Sequence, residues 1–116
     1  LYFMPKAPER PTREMMLGTN GLSAIEPPLV IPPGKITRHK TRYTLPADIS
    51  VLTINPHMHL LGKEFWAYAL LPGGDTLPLI RLKQWDFRWQ YNYTFPKMLH
   101  LPQGTTIEVW GSFDNT

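Results

Sequence analysis

Thirteen prolines scattered through 116 residues leave this chain little room for helix. Proline removes a backbone donor, clashes with the preceding helical turn and interrupts central strands. Their spacing predicts short strands joined by rigid turns. The hydrophobic share of 42% is that of an ordinary globular protein, so nothing suggests a low-complexity tail. The length fits one domain and not two. A single domain over residues 1–116 is the expectation. No apolar run approaches the roughly 20 residues of a membrane span.

Up to about residue 35 the chain reads as strand fragments and extended loop. Leu1 to Met4 is a short apolar start, and Pro5, Pro8 and Pro11 force an extended path. Glu14 to Leu17 fits a strand or a single helical turn. Leu29 to Ile31, bracketed by proline pairs, fits a short strand. Sharper signals follow: Ile36–Leu45 with a turn at Pro46–Asp48, Ile49–Asn55 running into Pro56-His57-Met58-His59, a bend at Gly62, and Glu64–Leu71. Pro72-Gly73-Gly74-Asp75 is a hairpin signal returning as Thr76–Leu82. Arg88–Phe95 alternates with period two, and after the turn at Pro102-Gln103-Gly104 the last strand is Thr105–Phe113. Short strands at this spacing predict an all-β fold, a jelly-roll-like antiparallel β-sandwich.

The net charge of +3 is spread along the chain. Alternation puts Arg38, Lys40 and Arg42 on one face of a strand, read as a solvated sheet face and not a nucleic-acid patch; His39 falls on the opposite face. The absence of cysteine excludes a disulfide framework, a thiolate zinc site and a cysteine nucleophile within these residues. No phosphate-cradling glycine loop or serine elbow is present. The chain starts at Leu1 and ends just after a strand-like run, and both ends are expected to be cut from something longer.

His57 and His59 are the candidate chemistry. Residues i and i+2 of an extended segment share a face, so two imidazoles can reach one ion at about 2.0–2.1 Å. Imidazole suits copper and zinc alike, and two histidines bonded in a core or exposed on a sheet have the same spacing. Each ring N–H turned away from an ion is expected to find an acceptor. Met58 points the other way, as core filler. His100 is the only other histidine in the second half, so a further ligand is expected from outside the segment. Trp85, Trp89, Tyr91, Tyr93 and Phe95 form an aromatic cluster; a stacking platform is built this way, and so is a sheet core, which is the expectation. Asp86 and Arg88 are placed to pair across Phe87.

Pro56-His57-Met58-His59-Leu60-Leu61-Gly62-Lys63 resembles the H-x-H-x-x-G-K segment of the copper type II, ascorbate-dependent monooxygenases, the family of peptidylglycine α-hydroxylating monooxygenase and dopamine β-hydroxylase. Leu45-Pro46-Ala47-Asp48, Trp85-Asp86-Phe87-Arg88-Trp89-Gln90 and Phe113-Asp114-Asn115-Thr116 resemble a bacterial branch of it. The resemblance implies the second of two jelly-roll domains, with His57 and His59 as two ligands of the oxygen-activating copper. It further implies a methionine ligand after Thr116, a second, electron-supplying copper in an upstream domain of the same chain, an ascorbate-like reductant, and a periplasmic or extracellular location. The reaction would be hydroxylation of a C–H bond. The competing expectation is a non-catalytic β-sandwich module that binds copper or carbohydrate or is purely structural.

Overall fold

The computed structural model describes residues 3–116; Leu1 and Tyr2, half of the expected apolar start, lie outside them. The described residues hold seven strands and no helix: β1 (Ile25–Glu26), β2 (Ile36–Thr44), β3 (Ile49–Ile54), β4 (Gly62–Leu70), β5 (Thr76–Leu82), β6 (Tyr93–Leu101) and β7 (Thr106–Asp114). All pairings are antiparallel. One sheet has the order β1-β2-β7-β4-β5 and the other is the pair β3-β6.

The pairs β4–β5, β3–β6 and β2–β7 are nested, each enclosing the previous one in sequence. The chain therefore runs as one long hairpin wrapped across two sheets, and β4 closes the wrap by pairing with β7 as well. This nesting is the jelly-roll pattern. At the tip, Gly74 at φ 93° reverses the chain, and its N–H bonds the Leu71 carbonyl at 2.9 Å. At the open end, Asp48 Oδ1 accepts from the Gln103 N–H at 2.7 Å and ties the β2–β3 turn to the β6–β7 turn.

The core fills the space between the sheets. Leu45, Ala69, Leu101 and Ile107 are buried at one end, with Ile49, Val51 and Leu99 of the small sheet packed on them. Met58, Phe65, Ala67 and Phe113 are buried at the other, with Trp85 against them. Leu79 and Val109 touch both groups.

Three expectations are corrected. Leu29–Ile31 forms no strand: the prolines on either side limit it to three ladder donors, and the Val30 N–H turns back on the Pro28 carbonyl at 2.7 Å; Asn115 Nδ2 donates to the Ile31 carbonyl. Glu14–Leu17 is neither strand nor helical turn. The Arg88–Phe95 strand does not form as read: β6 begins at Tyr93 and continues to Leu101. Its partner β3 ends at Ile54, opposite Tyr93, so residues 88–92 have no strand to pair with. The expected core ladder is thus half right. Tyr93 and Phe95 are half-buried on the parity that carries Leu99 and Leu101 inward, whereas Trp89 and Tyr91 are 59% and 56% exposed.

Candidate metal centre

The His57-Met58-His59 segment is not on a strand. It lies on the connection from β3 to β4, where the chain crosses from the small sheet to the large one. The strand-like alternation persists without a ladder: Pro56 and Met58 are buried, His57 and His59 exposed. Two inward pegs thus fix the direction of two outward imidazoles. The connection is tied at both ends. Asn55 Nδ2 donates to Asn92 Oδ1 at 3.0 Å and to the Tyr91 carbonyl at 3.3 Å. Gly62 N–H donates to the His59 carbonyl at 2.9 Å, and Asp114 N–H to the Leu61 carbonyl at 2.8 Å. Lys63 and Asp114 pair at 2.8 Å, and the Lys63 ammonium with the Thr116 donors holds the Asp114 carboxyl down at about 2.

The two Nε2 atoms are 3.1 Å apart, with ring planes at 88°. An ion bound to both at about 2.0–2.1 Å would subtend an N–metal–N angle of roughly 100°, near the tetrahedral value. The pair therefore fits half of a tetrahedral or trigonal site. Metal binding needs both Nε2 lone pairs free, which places each proton on Nδ1. The expected acceptors for those N–H groups are not found: among the described residues, the one hydrogen bond of either ring is the bond they share.

No third His, Cys, Asp or Glu joins the pair among the described residues. His39 is a core residue, its Nδ1 2.8 Å from the Pro27 carbonyl and its Nε2 3.0 Å from Thr37 Oγ1, so both nitrogens are engaged. His100 sits at the far end of the β3–β6 pair, opposite Ser50 and 4.0 Å from Asp48. Met58 packs inward against the β7 backbone at Gly111 and cannot turn to the ion. Met98 is exposed on β6.

Two features near the pair were not read as site residues in the sequence. Phe87 stands edge-on to His59, ring centroids 6.3 Å apart, on the loop of residues 83–92. Asp86 and Arg88 pair across it as expected, at 2.6 Å, and the Arg88 side chain draws the Asp86 carboxyl down to about 2. The second feature is Trp85, which lies beneath Gly62 with its indole N–H buried and without a partner among the described residues. An Asp-x-Arg spacing around an aromatic residue was the available signal for the turn that exposes Phe87.

The basic face also differs from a simple solvated one. Arg42, Glu108 and Tyr68 are cross-strand neighbours on the outer face of the large sheet, as are Lys40, Trp110 and Trp66. Arg42 Nε lies 2.8 Å from Glu108 Oε2, and the Trp110 indole and the Tyr68 hydroxyl both donate to Glu108 Oε1. Lys40 lies over Trp110, which stacks on Trp66. No helix of the described residues is long and apolar enough to cross a membrane. Comparison with protein-family models, with curated proteins and with solved structures found no match to this chain.

Proposed function

We propose that this chain is the copper-binding domain of a monooxygenase that uses O2 and a reductant to hydroxylate a C–H bond, with His57 and His59 as two ligands of the oxygen-activating copper. The observation that carries the reading is the convergence of two exposed imidazole Nε2 atoms at 3.1 Å on a connection pegged by buried Pro56 and Met58. Joined to it is the resemblance of residues 56–63 to the family's H-x-H-x-x-G-K segment. The remaining ligand, the electron-supplying copper and the ascorbate-like reductant would come from elsewhere in the parent protein, in the periplasm or outside the cell. Copper, when bound, would supply one-electron exchange with dioxygen. Binding copper would turn both Nε2 lone pairs onto the ion with both protons on Nδ1, in place of the hydrogen bond the two rings share in this structure.

Titration with Cu(I) against a competing chelator tests this. The chain should bind one equivalent, weakly for want of a third ligand, and His57→Ala/His59→Ala should abolish it. Equal binding by both proteins refutes the ligand pair. A preference for zinc in a closed four-ligand site in the parent protein refutes the monooxygenase. The lack of a third ligand among the described residues favours a second reading, a copper-binding module without turnover. Copper binding by a parent protein that never consumes oxygen with ascorbate would decide for it.

A further inference from the structure

The loop beside the histidine pair holds its rings in the open. Phe87, Trp89 and Tyr91 are 41%, 59% and 56% exposed, and Trp89 meets Tyr91 edge-on at 5.8 Å. Exposed large apolar side chains scattered singly need no explanation, but three on one short loop, one against His59 and the other two against each other, mark a binding surface.

The loop is also built to keep its shape. The Trp89 N–H bonds the Asp86 carbonyl at 2.8 Å, Gln90 Nε2 donates to the Phe87 carbonyl at 2.9 Å, and Asn55 clamps Tyr91 and Asn92 from the histidine segment itself. Rings held in place before a ligand arrives lose little freedom on binding it. The position is fixed relative to the centre by Phe87 on His59 at one end and by Asn55, two residues before His57, at the other.

The charges define the ligand. Asp86 and Arg88 are the only two charged residues from 86 to 92, and they neutralise each other through two side-chain contacts of 3.0 and 2.6 Å. Residues 86–92 thus offer ring faces and edges and no uncompensated charge of their own; the loop's other charge, Lys83, lines a hollow with Leu60, Leu61 and Lys63.

We propose that Phe87, Trp89 and Tyr91 form the specificity-determining wall of the histidine site, and that the substrate it selects is an uncharged, ring-bearing organic molecule that lays its ring against them. The substrate role rests on the reading of His57 and His59 as copper ligands; the capture of a neutral ring by the loop does not.

The test uses the whole 116-residue chain and three probes with one ring and different charge: benzyl alcohol, benzylamine and benzoate. The indole N–H resonance of Trp89 is identified by its absence in Trp89→Phe. Benzyl alcohol should shift it saturably in the metal-free chain, with benzylamine and benzoate several-fold weaker. Phe87→Ala should weaken the binding about tenfold, the size of one good aromatic contact. Its side chain is exposed enough that folding is retained, which an unchanged spectrum elsewhere confirms. In the Cu(II)-loaded chain the ring protons of bound benzyl alcohol should broaden, and the broadening should vanish in His57→Ala/His59→Ala. No saturable shift, or equal affinity for all three probes, overturns the proposal. So does self-association of the chain that Phe87→Ala abolishes, since the wall is then a contact between copies. Ring binding in a chain that takes no copper defeats the histidine reading and leaves a neutral-ring surface; copper binding without ring binding defeats the wall alone.

Discussion

A Cβ placed on Gly62 would lie 2.8 Å from Trp85 Cδ1, 3.0 Å from Met58 Cβ and 3.1 Å from the His59 carbonyl oxygen. Glycine is required here for space, because one of these neighbours is backbone and another is fixed by burial. The same crowding is what presses the histidine segment onto the core. Gly62→Ala must therefore push back either Trp85 or the His59 peptide. Overpacking of this kind costs about 1–3 kcal/mol, and denaturant unfolding should show a loss in that range. The His59 ring should shift with its backbone, so Cu(I) affinity should fall in the same variant. A loss of stability with unchanged affinity would mean that Trp85 alone moves and that the connection is set independently of Gly62.

At the scale of elements, β7 is paired along both edges, with β2 and with β4, and its outer face carries the buried carboxylate of Glu108. Burial pushes that carboxyl up, but hydrogen bonds from Tyr68 and Trp110 and the charges of Arg42 and Lys40 outweigh it, so the net direction is downward. The unfolded chain then binds the proton more tightly than the folded one. The stabilisation is fully present above the ordinary glutamate range near pH ~4.3 and is lost as pH falls below that range toward the lowered folded value. Tyr68 is raised, first by its hydrogen bond to Glu108, so its contribution is present below pH ~10 and is lost as pH rises above that. Urea unfolding of the wild type and Glu108→Gln should differ most at pH 7 and converge toward pH 3; a constant difference would show that the carboxylate charge is not involved. None of this was legible in the sequence. Alternation marks Glu108 as outward-facing, and only the pairing of β7 with β2 and β4 reveals what covers it. By contrast, β2, β3, β4, β5 and β7 were legible to within a residue or two, because alternation and proline or glycine turns agree there. Loop 83–92 misled because alternation reports a local pattern and not the presence of a partner strand. The histidine pair was legible since i, i+2 projection needs only an extended backbone, which Pro56 and Met58 preserve off the sheet.

Across the whole molecule, the site depends on a core built from pairings distant in sequence. β2 and β7 form the outermost nested pair, and Leu45 and Leu101, both fully buried, close the end away from the histidines. The two core groups are not independent, because Leu79 and Val109 pack against both. A defect at the Leu101 end is therefore felt at Met58 through shared side chains and shared strands. Leu101→Ala should cost about 2–5 kcal/mol, set by how far the neighbours collapse into the space. That is a large part of the 5–15 kcal/mol a domain of this kind has in total. The informative readout is the histidine segment. If the sandwich is one cooperative unit, unfolding followed by the His57 and His59 ring resonances and by far-ultraviolet circular dichroism should coincide in the variant as in the wild type, both displaced to lower denaturant. Two separated transitions, with the histidine signals unmoved, would show that the Met58 end folds on its own. The geometry of the pair would then owe nothing to the nested strands at the opposite end.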